Sequence, residues 1–379
     1  MLNFFKRKER KDSLAKTDKT RKRASFNALT VSDIRRETVD CVSVAFDVPK
    51  SLKADYNFIQ GQYLTLRNRI NGEEIRRSYS ICSSPLDGEL RVAIKKVPKG
   101  VFSTYANEEL KKGEQLEVMT PEGNFHRPLN ADHSHLYVAF ASGSGITPML
   151  SIIRTTLEVE STSQFTLFYG NRNNLSIIFK EQLEDLKNEF MGRLEVHYIL
   201  SREDQGTDCL KGRIDGDKCR HYAQSFFDSE KVNTYFLCGP LGMIEDLSET
   251  LVSLGVDKKN IVFELFTTAA TTIKEGANPD APKVIGMTSN VTVVLDTEET
   301  HFEIDANGKS ILDAALDAGA DVPFACKGAV CCTCRAKVLE GEVEMDMNYA
   351  LEEEEVEEGY VLTCQSHPRS EKVVISYDE

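Results

Sequence analysis

The sequence predicts a multidomain protein with three folded parts: an antiparallel β-barrel, an α/β domain built on a parallel sheet, and a small α+β domain of the β-grasp type. Three observations predict this architecture. Residues 26–130 are rich in short alternating strands, residues 131–266 alternate strands with helices, and residues 289–379 carry cysteines in a spaced pattern. A chain of 379 residues is long enough for two or three domains of ordinary size.

The composition is that of an ordinary globular protein and excludes several functions. Hydrophobic residues make up 41% of the chain and charged residues 28%. No run of about eighteen apolar residues occurs, and the N-terminus lacks the apolar stretch of a signal peptide, so we expect a cytoplasmic protein without a transmembrane segment. The net charge of −14 argues against nucleic acid as a partner.

Charge is unevenly distributed along the chain. Residues 6–23, KRKERKDSLAKTDKTRKR, are strongly basic, whereas residues 352–358, EEEEVEE, are acidic. We predict that residues 1–25 form a disordered, solvated arm, with weak contact to a membrane surface as the alternative. The acidic run is predicted to be the solvated face of a helix, with a docking patch for a basic partner as the alternative.

The first two folded parts differ in their hydrophobic period. FNALTVSDI, CVSVAFDV, QYLTLRN, RRSYSIC and LRVAIKKV alternate with period two and are separated by turn residues, which is typical of a small antiparallel barrel. After His133, HLYVAFASG reads as a buried strand and ITPMLSIIRTTLEV as a helix. FTLFYGN, FKEQLEDLKNEF, EVHYILS and TYFLCGP continue the alternation, which predicts a doubly wound parallel sheet.

A linker and a small domain complete the chain. Residues 267–288 lack apolar periodicity and are predicted to be the linker. VTVVLD and HFEIDA then resemble a hairpin, and Ser310 is a candidate N-cap of a helix that Gly319 would end. The strand RAKVLEG, the acidic helix and the strand KVVISY complete the predicted β-grasp-like domain, residues 289–379.

Four cysteines of this last domain have the spacing of an iron–sulfur site. Cys326, Cys331 and Cys334 form C-x4-C-x2-C, and Cys364 follows in a separate segment, which is the plant-type [2Fe–2S] pattern. Structural zinc is the alternative, but zinc sites usually combine two short cysteine pairs. Disulfides are not expected, because nothing in the chain indicates secretion. Cys332 breaks the spacing, and the other five cysteines are predicted to be reduced thiols.

Two segments of the barrel have residues suited to a flavin. On the strand containing RSYS, Arg77 would bind a phosphate, Tyr79 would lie against a planar ring, and Ser80 would hydrogen-bond to the ring edge. A second segment would bind the pyrophosphate through a glycine turn, amides and hydroxyls; its residues are Gly100, Val101, Phe102, Ser103 and Thr104. Together the two segments predict FAD, although Tyr79 alone would also fit a core position.

A glycine-containing loop between a buried strand and a helix predicts the nicotinamide nucleotide site. Glycines allow close approach of the backbone to a pyrophosphate, and the helix N-terminus supplies donors. The motif is not the G-x-G-x-x-G fingerprint, so it is weaker evidence by itself. The predicted binding residues are Gly143, Ser144, Gly145, Thr147 and Pro148.

The next two strand ends predict which nucleotide binds. NAD-specific folds usually place an acid there for the ribose 2′-hydroxyl. Here Asn171 and Arg172 follow one strand, and Ser201 and Arg202 follow the next. Arginine suits a 2′-phosphate bidentately, so we predict NADPH over NADH. The alternative is that both arginines are surface charges.

The end of the α/β domain supplies the remaining candidates. Cys238, Gly239 and Pro240 end the last long strand, where the cysteine would lie near the nicotinamide and the glycine would leave room for the ring. Glu264 and Phe266 close the domain, where an aromatic ring would cover the other flavin face. Of all candidates, Tyr79, Ser80 and Cys238 are predicted to contact the reacting rings, with Ser80 and Cys238 positioning them.

Taken in order, RSYS, GSGITP, YGNR, CGP and C-x4-C-x2-C-x29-C resemble the ferredoxin–NADP reductase family fused to a C-terminal plant-type ferredoxin. The resemblance covers residues 26–379. It implies FAD, NADPH and a [2Fe–2S] cluster, and electron delivery to a di-iron oxygenase. Another oxygenase as acceptor, or a non-catalytic iron–sulfur sensor, remain alternatives. The basic arm before residue 26 has no clear counterpart in the family, and Cys332 replaces a small residue.

Overall fold

The computed structural model describes residues 24–266 and 286–379, and the chain divides into two compact units between Phe266 and Thr267. Nearly all of the predicted N-terminal arm and most of the predicted linker lie outside the described residues. Among the described residues, no helix has both the length and the apolar character needed to cross a membrane.

The first unit begins with six antiparallel strands in the order β4-β3-β6-β1-β2-β5. A bridge between Ile81 and Val92 joins the two edges of this sheet, so it closes into the predicted barrel. Its core is mostly aliphatic, with Leu29, Val44 and Leu66 among its residues, and also contains Phe46 and Phe102. The elements are β1 (Phe26–Thr38), β2 (Cys41–Asp47), β3 (Tyr63–Ile70), β4 (Glu73–Ser80), β5 (Leu90–Lys95), α1 (Val101–Glu108) and β6 (Gln115–Met119).

The rest of the first unit is the predicted α/β domain, with five parallel strands in the order β11-β10-β7-β8-β9. Buried side chains fill the strands and the inner helix faces, as expected for a sheet covered on both sides. The elements are β7 (Leu136–Ser142), α2 (Ile146–Val159), β8 (Gln164–Asn171), α3 (Lys180–Glu189), β9 (Leu194–Leu200), α4 (Gly216–Ser225), β10 (Val232–Gly239), α5 (Leu241–Ser253) and β11 (Ile261–Leu265).

The strand order identifies the ligand-binding edge of this sheet. From β7 the chain proceeds outward through β8 and β9, then returns to add β10 and β11 on the other side of β7. The order therefore reverses between β7 and β10, and open α/β sheets bind ligands at the carboxyl ends of the strands at such a point. The predicted nucleotide loop and the Cys238–Pro240 segment both lie there.

The second unit has a mixed five-stranded sheet, β13-β12-β18-β14-β16, and a small two-stranded sheet, β15-β17. The predicted hairpin is β12 and β13, and Ser310 caps the helix by accepting a hydrogen bond from Asp313 N at 3.2 Å. The elements are β12 (Thr288–Leu295), β13 (Glu298–Asp305), α6 (Ile311–Asp317), β14 (Arg335–Glu340), β15 (Val343–Met345), α7 (Glu353–Glu357), β16 (Tyr360–Leu362), β17 (Ser366–Pro368) and β18 (Lys372–Ser376). The acidic run therefore does include a short helix, α7.

Candidate cofactor and iron–sulfur sites

A hydrogen bond joins the barrel to the end of the parallel sheet. Ser80 Oγ donates to Glu264 Oε2 at 3.1 Å, and Glu264 lies opposite Cys238 in the β10–β11 pairing. Burial of the Glu264 carboxyl raises its pKa to about 8 against the lowering effect of the Ser80 hydrogen bond. Burial and the nearby Glu264 raise the pKa of Cys238, so this thiol is neutral near pH 7. Three predicted site residues therefore meet at one position.

The two predicted flavin segments also meet. The ring of Tyr79 on β4 lies 5.8 Å, centroid to centroid, from the ring of Phe102 on α1. Burial raises the pKa of Tyr79, so its hydroxyl stays protonated. Arg77 is exposed, and its Nη1 donates to the carbonyl oxygen of Arg76 at 2.6 Å. An aromatic surface and an exposed cation on the same strand suit an isoalloxazine and a pyrophosphate.

The segment predicted as a glycine turn is the start of helix α1. Gly100 is its N-cap residue, and Ser103 Oγ donates to the Gly100 carbonyl oxygen at 3.3 Å. A Cβ on Gly100 would lie 2.4 Å from both Ser103 Oγ and Val97 Cγ2, so this close packing requires glycine. Thr104 N donates to the Gly100 carbonyl oxygen at 3.0 Å and begins the helical ladder.

The predicted nucleotide loop is a short 3₁₀ turn, Gly143–Gly145, leading into α2. Tyr169 Oη donates to the Gly143 carbonyl oxygen at 2.8 Å, and Thr147 Oγ1 donates to that of Ser144 at 2.9 Å. Gly143 has φ +56°. A Cβ on Gly145 would lie 2.1 Å from the Cys238 carbonyl oxygen, so Gly145 is required for packing against β10.

For Gly239, sequence reasoning expected a glycine that leaves room for a ring. A Cβ there would lie 2.5 Å from Met243 Cε, the end of a flexible side chain that can move, so packing alone does not require glycine at this position. Pro240 precedes α5 as its N-cap residue. Phe266 lies just beyond β11 with 38% of its surface exposed, so its ring is available for contact.

Lys95, at the end of β5, is a candidate that sequence reasoning missed. Its Nζ would lie 3.8 Å from a Cβ placed on Gly143, and it is 4.0 Å from Asp40 Oδ2. A barrel strand therefore presents a cation beside the loop that belongs to the other domain. The sequence does not predict this contact. In a strand, neighbouring side chains point to opposite faces, and the sequence does not show whether Lys95 or Lys96 faces the loop.

The strand ends that predicted the nucleotide preference are adjacent in the structure. Ser201 N donates to the Asn171 carbonyl oxygen at 2.9 Å, and Arg202 N donates to that of Arg172 at 2.8 Å. Within residues 24–266 neither arginine side chain has an acidic partner. Asn171 itself is buried, with 9% of its surface exposed.

Two further residues lie at this edge. Gly212 N donates to the Leu200 carbonyl oxygen at 3.0 Å, which brings the exposed Arg213 alongside the end of β9. Glu203 Oε2 accepts from Asn174 N at 2.8 Å and so adds one acid to the same edge. Arg213 was not a candidate from the sequence, because it is separated from Arg202 by a loop with no regular pattern.

Cys326 and Cys331 form the first contacting pair of the predicted iron–sulfur site. Cys331 Sγ donates to Cys326 Sγ at 3.0 Å, and Gly328 N donates to Cys326 Sγ at 3.3 Å. These hydrogen bonds lower the pKa of Cys326 to about 6 despite its burial. The left-handed backbone positions of this loop are Lys327 and Ala329, with φ of 53° and 61°.

Cys334 and Cys364 form the second pair. A hydrogen bond from the Cys334 thiol lowers the pKa of Cys364 and raises that of Cys334. Cys326 is half-buried and the other three cysteines are buried, and two thiols per pair match the two ligands that each iron of a [2Fe–2S] cluster takes. The donor set therefore fits the cluster. Cys332 is buried beside them, with 4% of its surface exposed.

Three features define the class of protein as an iron–sulfur flavoprotein reductase. They are a barrel that has an aromatic side chain beside a glycine-capped helix, a nucleotide-type loop at a topological switch point, and four clustered thiols. Three family models match the chain in that order. They are Oxidoreductase FAD-binding domain over residues 28–127, Oxidoreductase NAD-binding domain over residues 140–249, and 2Fe-2S iron-sulfur cluster binding domain over residues 293–369.

Comparison with known proteins indicates which kinds of reductase this chain resembles. The chain is 45% identical over 354 residues to a subunit of 1,2-phenylacetyl-CoA epoxidase from Escherichia coli (strain K12), covering 93% of this chain and 98% of the relative. It is 31% identical over 357 residues to the ferredoxin reductase component of 3-ketosteroid-9-alpha-monooxygenase from Rhodococcus rhodochrous, covering 92% and 96%. Phthalate dioxygenase reductase has the same fold, with a TM-score of 0.56 at 22% identity over 93% of this chain and 98% of that one.

The chain belongs to the ferredoxin–NADP reductase-like family of oxygenase reductase components, with FAD-binding, NAD-binding and 2Fe–2S domains on one polypeptide. The sequence also predicted a particular similarity to the reductase component of the phenylacetyl-CoA epoxidase system, and the match to the Escherichia coli protein confirms it. The protein is thus an electron-transfer oxidoreductase that uses FAD, a nicotinamide nucleotide and a 2Fe–2S cluster.

Proposed function

We propose that this protein is the reductase component of a phenylacetyl-CoA epoxidase, which takes electrons from NADPH and delivers them singly to a di-iron oxygenase. Identity of 45% to a subunit of that enzyme, along 98% of its length, supports the acceptor. The observation that supports the reductase chemistry is the Ser80–Glu264 hydrogen bond, because it joins a residue of the barrel to a residue of the nucleotide domain beside the proposed reaction position.

The residues at this position bind the cofactors and orient their rings. Tyr79, packed on the buried Phe102, provides the aromatic surface for the isoalloxazine, Arg77 and the start of α1 take the pyrophosphate, and Ser80 holds Glu264 at the ring edge. Bound FAD and nicotinamide supply hydride transfer, and FAD can release its two electrons one at a time. Cys238 is a neutral thiol with none of its surface exposed, so it packs behind the proposed nicotinamide position without adding charge.

Glu264 controls the charge at the same position. With a pKa of about 8 its carboxyl is mostly protonated at neutral pH. A neutral group avoids repulsion where negative charge develops on the ring that accepts hydride. The Ser80 hydroxyl keeps this carboxyl in place at 3.1 Å.

We infer a preference for NADPH over NADH from the charge at the ends of β8 and β9. Arg172 and Arg202 are joined through their backbones, and Arg213 is brought to the same edge. None of the three guanidinium groups has an acidic partner within residues 24–266, so they are available to a 2′-phosphate. Glu203 carries the opposite charge at the same edge, but its carboxylate accepts a hydrogen bond from the backbone N–H of Asn174.

The four cysteines, Cys326, Cys331, Cys334 and Cys364, are proposed to ligate the cluster through which electrons leave. A reducing, cytoplasmic location agrees with ten cysteines that form no disulfide. The second candidate acceptor is a monooxygenase of the 3-ketosteroid type, because a reductase component of that system is 31% identical to this chain.

The proposed acceptor is tested by reconstitution. Purified phenylacetyl-CoA oxygenase subunits, NADPH and this protein should give NADPH oxidation matched by epoxide formation, whereas 3-ketosteroid oxygenase subunits should give little product. Product only with the steroid enzyme would overturn the acceptor. In the same mixture Cys326→Ser should abolish product while NADPH still bleaches the flavin. Loss of flavin bleaching as well would contradict the proposed order of electron carriers.

A further inference from the structure

Thr363 links the fourth, distant cysteine to the loop that carries the other three. It directly precedes Cys364, is fully buried, and makes two hydrogen bonds to one atom of another predicted ligand. Its backbone N donates to the Cys334 carbonyl oxygen at 3.1 Å, and its Oγ1 donates to the same oxygen at 3.0 Å. One residue therefore joins the backbone of the three-cysteine loop to the backbone of the remote cysteine.

A third group completes this contact. The Thr363 Oγ1 atom lies 2.7 Å from the hydroxyl oxygen of Tyr377. A threonine hydroxyl has one proton, and that of Thr363 is directed to the Cys334 carbonyl oxygen, so Tyr377 must be the donor. Burial raises the pKa of Tyr377, so the hydroxyl keeps its proton at any physiological pH. The chain of hydrogen bonds runs in one direction, from Tyr377 through Thr363 to Cys334.

Tyr377 is itself rigidly placed. It follows β18, which is the central strand of the sheet and pairs with both β12 and β14. Its backbone N donates to the Val294 carbonyl oxygen at 2.9 Å. The next residue, Asp378, accepts from Asp296 N at 2.8 Å and from Thr297 N at 2.9 Å, which fixes the residues after β18 to the β12–β13 turn.

We propose that Tyr377 is a positioning residue of the iron–sulfur site, which holds Cys334 and Cys364 at cluster-binding separation through Thr363. The inference rests on the proposed ligation by four cysteines. Its physical basis is that each ligand pair must keep its geometry as electrons pass, and the second pair combines ligands 30 positions apart in the chain. The first pair needs no such link because both cysteines belong to one loop.

Cluster retention in the full-length protein tests this role. Anaerobically prepared Tyr377→Phe should lose its visible cluster absorbance to an excess of iron chelator about tenfold faster than the wild type, the factor expected for one buried hydrogen bond. Thr363→Val should lose the cluster absorbance at least as fast as Tyr377→Phe. Thr363→Ser, which keeps a hydroxyl, should lose it at a rate close to that of the wild type. The reduced Tyr377→Phe cluster should also show an altered electron paramagnetic resonance spectrum, which loss of general stability would not produce.

A matched control and a double variant separate the outcomes. Tyr349→Phe removes a hydroxyl of the same unit whose partner is Met347 Sδ at 3.7 Å, and it should leave retention unchanged. Tyr377→Phe combined with Thr363→Val should be no faster than Thr363→Val alone, because both act through one chain of hydrogen bonds. Additive effects, or wild-type retention and spectrum in Tyr377→Phe, would overturn the inference. A wild-type protein that never binds iron and sulfide would instead overturn the ligation itself.

Discussion

Ser80 and Glu264 are 184 positions apart in the chain, yet the Ser80 hydroxyl donates to Oε2 of the Glu264 carboxyl group over 3.1 Å. Ser80 is the last residue of β4, and Glu264 belongs to the edge strand of the parallel sheet. The pair therefore forms only when barrel and sheet have both folded and docked. Because burial outweighs the hydrogen bond, the carboxyl keeps its proton near neutral pH, with a pKa of about 8.

The first prediction is that flavin reduction by NADPH slows as pH rises through about 8 in the wild type and not in Glu264→Gln. The folded pKa lies above the ordinary value of 4.5, so the neutral form predominates below about 8 and the repelling carboxylate appears above it. The amide of glutamine stays neutral throughout. Stopped-flow bleaching of the flavin between about pH 6 and about 9.5 measures the rate. Parallel pH profiles for both proteins would contradict this role.

The three-part architecture could be predicted because each part has its own sequence pattern. The barrel has short β-rich segments separated by turn residues, the α/β domain alternates apolar strands with helices, and four cysteines mark the last domain. The expected alternation of the barrel strands is not complete, because β2 is buried at six of its seven positions. The contacts made by Lys95 and Arg213 could not be predicted. Both depend on how a loop or strand of one segment lies against another, which local pattern does not encode. The Tyr377–Thr363 contact was missed for the same reason.

The second prediction concerns nucleotide choice. Arg202→Ala and Arg213→Ala should each raise the Michaelis constant for NADPH about tenfold or more, with little change for NADH, because a charge-assisted bond to a 2′-phosphate is worth about 1.5–3 kcal/mol. Arg220→Ala is the control, because Arg220 is paired with Asp217 at 3.0 Å on α4. Steady-state reduction of ferricyanide with both nucleotides gives the constants. Equal increases in the Michaelis constants for NADPH and NADH would show that the arginines do not bind the 2′-phosphate.

The third prediction uses two neighbouring lysines. Lys95 lies beside Gly143, whereas Lys96 is directed to Glu108. Lys95→Ala should weaken binding of NADP⁺ several-fold at low salt and less at high salt, because it removes a cation next to the predicted pyrophosphate loop. Lys96→Ala should leave binding unchanged. Difference-spectroscopic titration of the oxidised protein measures the NADP⁺ affinity of both variants. If Lys96→Ala weakened binding as much as Lys95→Ala, the effect would come from net charge and not from the position of Lys95.

The fourth prediction separates two glycines of the α/β domain. Gly145→Ala places a Cβ 2.1 Å from the Cys238 carbonyl oxygen, so it should destabilise the first unit by about 2–3 kcal/mol or more. Gly242 lies in α5 with nothing within 4 Å of its added Cβ. Gly242→Ala should therefore be neutral or stabilising by up to about 1 kcal/mol. Urea midpoints by circular dichroism compare them, and equal midpoints would mean that β10 shifts to accept the methyl group.

The loop of the iron–sulfur site shows a limit of sequence reasoning. Gly328 is the one glycine among the four residues between Cys326 and Cys331, and glycine adopts a left-handed backbone conformation without cost. Instead Lys327 and Ala329 have positive φ, which costs non-glycine residues free energy. Gly328 N donates to Cys326 Sγ at 3.3 Å. The spacing of the cysteines thus predicted the site, but not which residues bend the loop around it.

The last prediction concerns Glu160, a fully buried carboxylate at the end of α2, away from the predicted cofactor edge. Its Oε1 is 2.9 Å from His133 Nδ1, and its Oε2 accepts from Tyr137 Oη at 2.9 Å and from Ser163 Oγ at 2.7 Å. An amide in its place would direct N–H groups at one of these donors. Glu160→Gln should therefore destabilise the first unit by about 2–4 kcal/mol.

The control for this change is Glu195→Gln. Glu195 is also beside a histidine, 3.5 Å from His197 Nε2, but 65% of its side chain is exposed. Exposed ion pairs contribute about 0–1 kcal/mol, so its midpoint in urea should scarcely move. Because Glu160 lies far from the Ser80–Glu264 pair in sequence and at the opposite end of β7, flavin reduction by NADPH should be unchanged in folded Glu160→Gln protein. A wild-type midpoint for Glu160→Gln would mean that water or a rotated Tyr137 replaces the lost acceptor.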